Sequence, residues 1–147
     1  MRFSLSGEIS LKDEQYEKFR VISNEIRTRV NEYLTKRHYG DAVNVLFLAP
    51  TIFSFEAYVG LPYKERKIYR KKDKSTDYRL AIDYNEFVNA DDKEKERLLI
   101  ENIIHAIRDL KRKIKKGFDG DKLEADILSL FSLKSESIRE REELKRL

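Results

Sequence analysis

The chain has 147 residues, 39% of them charged, with a formal net charge of +4, no Cys, no Trp and only two His. That length suits one domain. The missing Cys removes disulfides, thiol nucleophiles and Cys-based metal sites, and His38 and His105 are too few for a three-His metal centre.

Residues 2–9 alternate, with Phe3, Leu5, Gly7 and Ile9 on one side, which predicts a half-buried strand. Ser10 and Asp13 resemble a capping box. Beyond them Tyr16, Phe19, Ile22, Ile26, Val30 and Tyr33 step by three or four, predicting an amphipathic helix that ends near Arg37. Residues 42–49 are a nearly continuous apolar run, read as a central strand covered on both faces. Pro50-Thr51 breaks the run, and residues 52–59 read as a further strand before the turn at Gly60-Leu61-Pro62. Residues 64–72 are strand-like but almost wholly charged, which marks an edge strand. After a polar turn, Thr76, Tyr78, Leu80, Ile82 and Tyr84 alternate with mostly polar residues as the clearest strand of the chain.

The last third is helical. Asn85-Glu86-Phe87-Val88 forms a short turn, and Asp91 with Glu94, or Asn89 with Asp92, caps the next helix. Its apolar stripe is Leu99, Ile103, Ala106, Ile107, Leu110 and Ile114, closing at Gly117. Asp121 with Glu124 caps a third helix through Leu123, Ile127, Leu130 and Phe131. Residues 1–133 thus read as a single α+β domain, and residues 134–147 as a charged C-terminal tail or frayed helix. The order β-α-β-β-β-β-α-α, with four consecutive strands on short turns, predicts an antiparallel sheet of about five strands with helices packed on one face.

The modest total charge conceals a segmented distribution. Residues 61–80 carry a local +5 and residues 111–116 another +5, against −4 over residues 81–110. Either basic cluster fits an acidic partner or a nucleic acid, and equally a solvated strand face or a helix C-terminus whose dipole favours cations. Tyr usage points the same way: Tyr63 and Tyr69 lie among Lys and Arg, and Tyr and Arg are the usual anchors of protein interfaces. The candidate partner-contact residues are therefore Tyr63, Lys64, Glu65, Arg66, Tyr69 and Arg70, with Asp91, Asp92 and Glu94 as the acidic alternative. A Tyr-rich sheet edge also fits a homodimer.

Catalytic patterns are scarce. There is no Gly-rich phosphate loop, Walker motif, HExxH or nucleophile elbow, so neither an enzyme nor a cofactor is expected. His105 and Asp109, four apart on a helix, can share a face as a base and its orienting carboxylate, or as an ordinary polar pair beside the core stripe. Asp119-Gly120-Asp121 opens like a calcium loop but lacks the later ligands. The first residues lack the apolar stretch of a secretory signal, and no window approaches the ~18–20 apolar residues of a membrane span, so the expectation is a cytoplasmic protein with no membrane contact.

Several short motifs together resemble a known family. They are Ser6-Gly7-Glu8 in the first strand, Ser23-Asn24-Glu25 in the long helix, Tyr63-Lys64-Glu65, the basic Tyr69-Arg70-Lys71-Lys72, and Asp77-Tyr78-Arg79-Leu80-Ala81-Ile82-Asp83-Tyr84. Over residues 1–115 the chain resembles immunity protein family forty-four, small proteins of bacterial polymorphic-toxin systems. The resemblance implies a cytoplasmic protein encoded beside a toxin, which binds the toxin's effector domain and occludes its active site or substrate surface. It brings no catalytic residues with it. A nuclease toxin, with its basic substrate groove, would match the acidic residues 91–101, whereas a toxin with an acidic surface would match the cluster at 61–80. The rival reading is a nucleic-acid-binding module that uses the basic, Tyr-containing strand and the lysine run at 111–116.

Overall fold

The computed structural model describes residues 1–5, 8–9, 13–53 and 67–139. Two short strands, β1 (Arg2–Leu5) and β2 (Glu8–Ile9), lead into helix α1 (Asp13–Leu34). Strands β3 (Val45–Phe53), β4 (Lys67–Arg70) and β5 (Ser75–Asp83) follow. The chain then forms the short helix α2 (Tyr84–Asn89), the long helix α3 (Asp92–Lys113), helix α4 (Gly120–Leu130) and a 3-10 turn at Ser135–Ser137. The expected cap residue Ser10 and the expected turn at residues 60–62 lie outside the described residues. No helix among the described residues is long and apolar enough to cross a membrane.

The α+β class holds, but the sheet is mixed rather than an antiparallel meander. Its order is β1-β3-β5-β4, with β2 also against β3. β3 runs parallel to β1, β2 and β5, and only the β4–β5 hairpin is antiparallel. Two causes are visible. Helix α1 carries the chain back before β3 begins, which forces a parallel pairing with β1. β5, rich in apolar residues, takes the slot beside β3, and the charged β4 is left at the edge where its cations stay solvated.

Pro50 does not break β3, which runs unbroken to Phe53. The amide of Phe47 donates toward β5, to the Thr76 hydroxyl (2.9 Å), so alternation aims the Pro50 nitrogen at the opposite edge. There β1 pairs with residues 45–48 and β2 with residues 51–52, and Pro50 falls between the two ladders where its missing donor costs little.

One face of the sheet is the core. Phe3, Leu5, Leu46, Leu48, Tyr78 and Ile82 are buried there under α1, α2 and α3. On the other face Phe47 is 36% exposed, so at this position β3 is covered on one side and not on both. α1 contributes the stripe Phe19, Ile26, Val30 and Leu34. It also closes the sheet edge: the Asn31 side-chain amide accepts from the Phe3 amide (2.8 Å) and donates to the Phe3 carbonyl (2.6 Å), standing in for a neighbouring strand. Asp91 is the N-cap of α3, accepting from the Glu94 amide at 2.8 Å, which selects one of the two expected caps. α4 is capped by Asp119 rather than by Asp121.

α3 is buried on more than the predicted stripe. Leu98, Leu99, Ile100, Glu101, Asn102, Ile103 and Ile104 are all buried, which spans about two turns and leaves no open face. α4 covers one flank, joined by the Arg108–Glu124 pair at 2.7 Å. Residues 134–139 lie over another part: Ile138 is buried, Arg97 donates to the Ser137 carbonyl (2.6 Å), and His105 Nε2 donates to the Arg139 carbonyl (2.9 Å). The Glu101 carboxylate, 1% exposed, takes both the Arg139 amide (2.8 Å) and its guanidinium (2.5 Å), and the same guanidinium reaches Glu94 at 2.8 Å. Truncating Arg139 strands a buried charge. Because Arg139 is partly exposed and Arg97 stays nearby, Arg139→Ala is expected to cost about 2–3 kcal/mol, below the ~3–5 kcal/mol of a fully buried pair, as read by urea unfolding.

Candidate functional site

The two ends of α3 differ sharply in charge. Twenty-two residues at ~1.5 Å each place them about 33 Å apart. Around the N-terminal end stand Asp91, Asp92 and Glu94, beside Glu14 and Glu17 of α1. An apolar groove of about 290 Å³ opens there along Val21 and Ile22, and Val21 is 51% exposed. Yet these carboxylates are already engaged. Asp91 caps the helix, Glu94 holds Arg139, Lys18 bridges Glu14 (3.6 Å) and Asp92 (3.7 Å), and Glu17 pairs with Arg20 at 2.5 Å. The hydrogen bond from Arg20 holds the Glu17 carboxyl below the usual carboxylate range.

The C-terminal end is basic, and it meets the β4–β5 hairpin. Tyr69, Lys71 and Lys74 from the hairpin and Lys113, Lys115 and Lys116 from the end of α3 line a cleft of about 450 Å³ floored by Ala42 and Ile114. Within the last turn of α3, Lys111 pairs with Asp121, and Arg112 (3.4 Å) and Lys113 (3.2 Å) pair with Asp109. Lys71, Lys74, Lys115 and Lys116 are exposed and make no ion pair among the described residues.

A junction of three backbone segments assembles this cleft. Gly40 adopts φ +96°, and a Cβ there would sit 2.1 Å from the Gly117 carbonyl oxygen, so only glycine permits the approach. The Ala42 amide donates to the Gly117 carbonyl (2.8 Å), the Asp119 amide to the Tyr39 carbonyl (2.8 Å), and the Tyr69 hydroxyl to the Ala42 carbonyl (2.7 Å). The end of α3 is thereby fixed against β4. The hairpin is tied as well: the Lys74 carbonyl accepts from the amides of Asn44 (2.8 Å) and Val45 (3.2 Å), with Lys74 itself at φ +52°.

Of the residues expected to contact a partner, Tyr63, Lys64, Glu65 and Arg66 lie outside the described residues. Tyr69 is half-buried and serves the junction, while strand alternation turns Arg70 to the other face of the sheet, so the two do not share a surface. Asp91, Asp92 and Glu94 do cluster, but each is held within the chain. His105 meets the Arg139 carbonyl and Asp109 holds Arg112 and Lys113, which are structural uses for both. Asp119 and Asp121, the start of the calcium-like run, cap α4 and pair with Lys111. The sequence marked both basic clusters but not their meeting. The only local signal was that each lysine run borders a turn.

Two phenols, those of Tyr39 and Tyr78, are buried in the core. Burial raises the pKa of Tyr39, and so does its hydrogen bond to Asp126 (2.6 Å). Burial, then the neighbouring Asp109 carboxylate, raises that of Tyr78.

The family model Immunity protein 44 matches residues 1–132 of the chain. No curated protein and no solved structure matches it.

Gly40→Ala is expected to cost more than about 2 kcal/mol, because the junction must open to relieve the clash, and a urea or thermal melt reads this directly. Above pH 10 the unfolded chain releases phenolic protons that Tyr39 and Tyr78 keep in the native state. Stability is therefore complete below pH 10 and falls as pH rises, by about 1.4 kcal/mol per pH unit for each retained proton. Tyr39→Phe removes one such proton, and its alkaline slope should be shallower by that amount.

Proposed function

The chain belongs to the immunity protein 44 family, and from that premise we propose that it neutralises a cognate toxin domain by binding it one to one and covering the surface with which the toxin acts. The match over residues 1–132 carries this reading, since it takes in every strand and helix of the described structure through α4. Occlusion needs no catalytic group on the inhibitor. It needs a rigid surface, complementary charge and a few anchors. The long buried helix supplies the rigidity, and the unpaired lysines at its C-terminal end supply a field that steers a partner toward that end. The setting that goes with this role is a bacterial polymorphic-toxin system, with the inhibitor made in the cytoplasm of the toxin producer and encoded beside the toxin. Protein partners, rather than nucleic acid, are what such a surface serves.

The test is co-expression with the C-terminal domain encoded by the adjacent gene. Growth should be restored and the two chains should elute together at a 1:1 ratio in 150 mM salt. Separate elution with no rescue of growth overturns the reading.

A further inference from the structure

The two ends of α3 are satisfied unequally within the fold. At the acidic end Glu14, Glu17, Asp92 and Glu94 are paired with three cations of this chain, Lys18 (shared by Glu14 and Asp92), Arg20 and Arg139, and Asp91 is used as a helix cap. At the basic end Lys71, Lys74, Lys115 and Lys116 hold none among the described residues. The dipole of α3 does not account for them, because its half-charge is already met by Lys111, Arg112 and Lys113 in the last turn. Bringing further cations into one concavity works against the fold, since like charges repel and their repulsion is relieved only by an anion from outside. Lys74 adds a second cost. It occupies a left-handed backbone position that glycine or asparagine fills with less strain, yet the residue there is a lysine.

We propose that this lysine cleft receives an acidic segment of the toxin domain, so that the partner surface recognised is one that presents carboxylates. The proposal rests on the toxin-binding reading above. The chemistry of the cleft favours acidic polypeptide over nucleic acid. Its aromatic, Tyr69, is half-buried with its hydroxyl given to the Ala42 carbonyl, so it offers no free platform on which a base can stack. Its cations are all lysines, which act as point charges on flexible stems and can each meet a separate carboxylate. Its volume, about 450 Å³, is in the range of clefts that enclose side chains or small ligands.

The test uses the full chain, the toxin domain of the adjacent gene, a decaglutamate peptide and a ten-nucleotide oligo-dT, each followed by fluorescence anisotropy at 50 and 200 mM salt. Lys71→Glu/Lys116→Glu is expected to weaken the toxin complex about tenfold or more and to abolish decaglutamate binding. Lys93→Glu, at the other end of α3, should leave both unchanged. Circular dichroism checks the fold, and Lys71→Ala/Lys116→Ala replaces the reversal if that variant melts early. A wild-type complex whose affinity the double variant does not change overturns the cleft as the binding face. Oligo-dT binding tighter than decaglutamate binding overturns the acidic-polypeptide assignment. If the toxin domain fails to bind while decaglutamate binds and is lost on reversal, the toxin reading falls and the carboxylate-binding cleft stands.

Discussion

Between Leu98 and Ile104 helix α3 shows no face to water, and that single constraint organises the molecule. A helix with one apolar stripe needs one layer against it, whereas a helix buried all round must be enclosed. The sheet and α1 lie against it on one side, and α4 and the segment after Leu133 supply the rest. The enclosure takes in Glu101, whose charge would be expensive to bury alone, and Arg139 meets it with both backbone and side chain. Charge that cannot be placed along the middle of the helix is displaced to its ends, which is why the acidic and basic regions stand about 33 Å apart.

The sheet follows from similar accounting for backbone groups. β3 is central because it is long and apolar, and its proline is tolerated because it faces a break between two short ladders. The edges are treated differently. On one side Asn31 occupies the hydrogen-bonding groups of Phe3, and on the other β4 is too charged to recruit a neighbouring chain. Thr76 completes the interior by lending its hydroxyl to both backbone groups of Phe47, at 2.9 and 3.3 Å.

The basic cleft is a product of packing rather than of any motif. Its two halves are separated by about forty residues of chain and meet because Gly40 lets the backbone cross close to Gly117, after which Ala42 and Tyr69 lock the arrangement. Neighbouring elements take up the acidic residues at the N-terminal end of α3 as caps and pairs, whereas Lys71, Lys74, Lys115 and Lys116 hold no ion-pair partner among the described residues. Net charge is therefore a poor guide to this surface, and residual charge after internal pairing is a better one.

The sequence by itself determined the α+β class, the amphipathic helices, the β5 strand, the edge character of β4 and the resemblance to immunity protein family forty-four, because each depends on local periodicity, local composition or short motifs, whereas it left Asp91 and Asn89 as alternative caps of α3. Only the tertiary structure decided that β3 pairs in parallel with both neighbours, that β5 lies between β3 and β4, and that Tyr69 and Arg70 part to opposite faces. Only the tertiary structure, too, decided which charges stay unpaired. Strand neighbours and ion pairs are choices between groups distant along the chain, and their energies depend on burial and on which partners compete. A run of lysines has the same local pattern whether it balances a helix end or lines a cleft, and the difference arises only when Gly40 and Gly117 bring two such runs together.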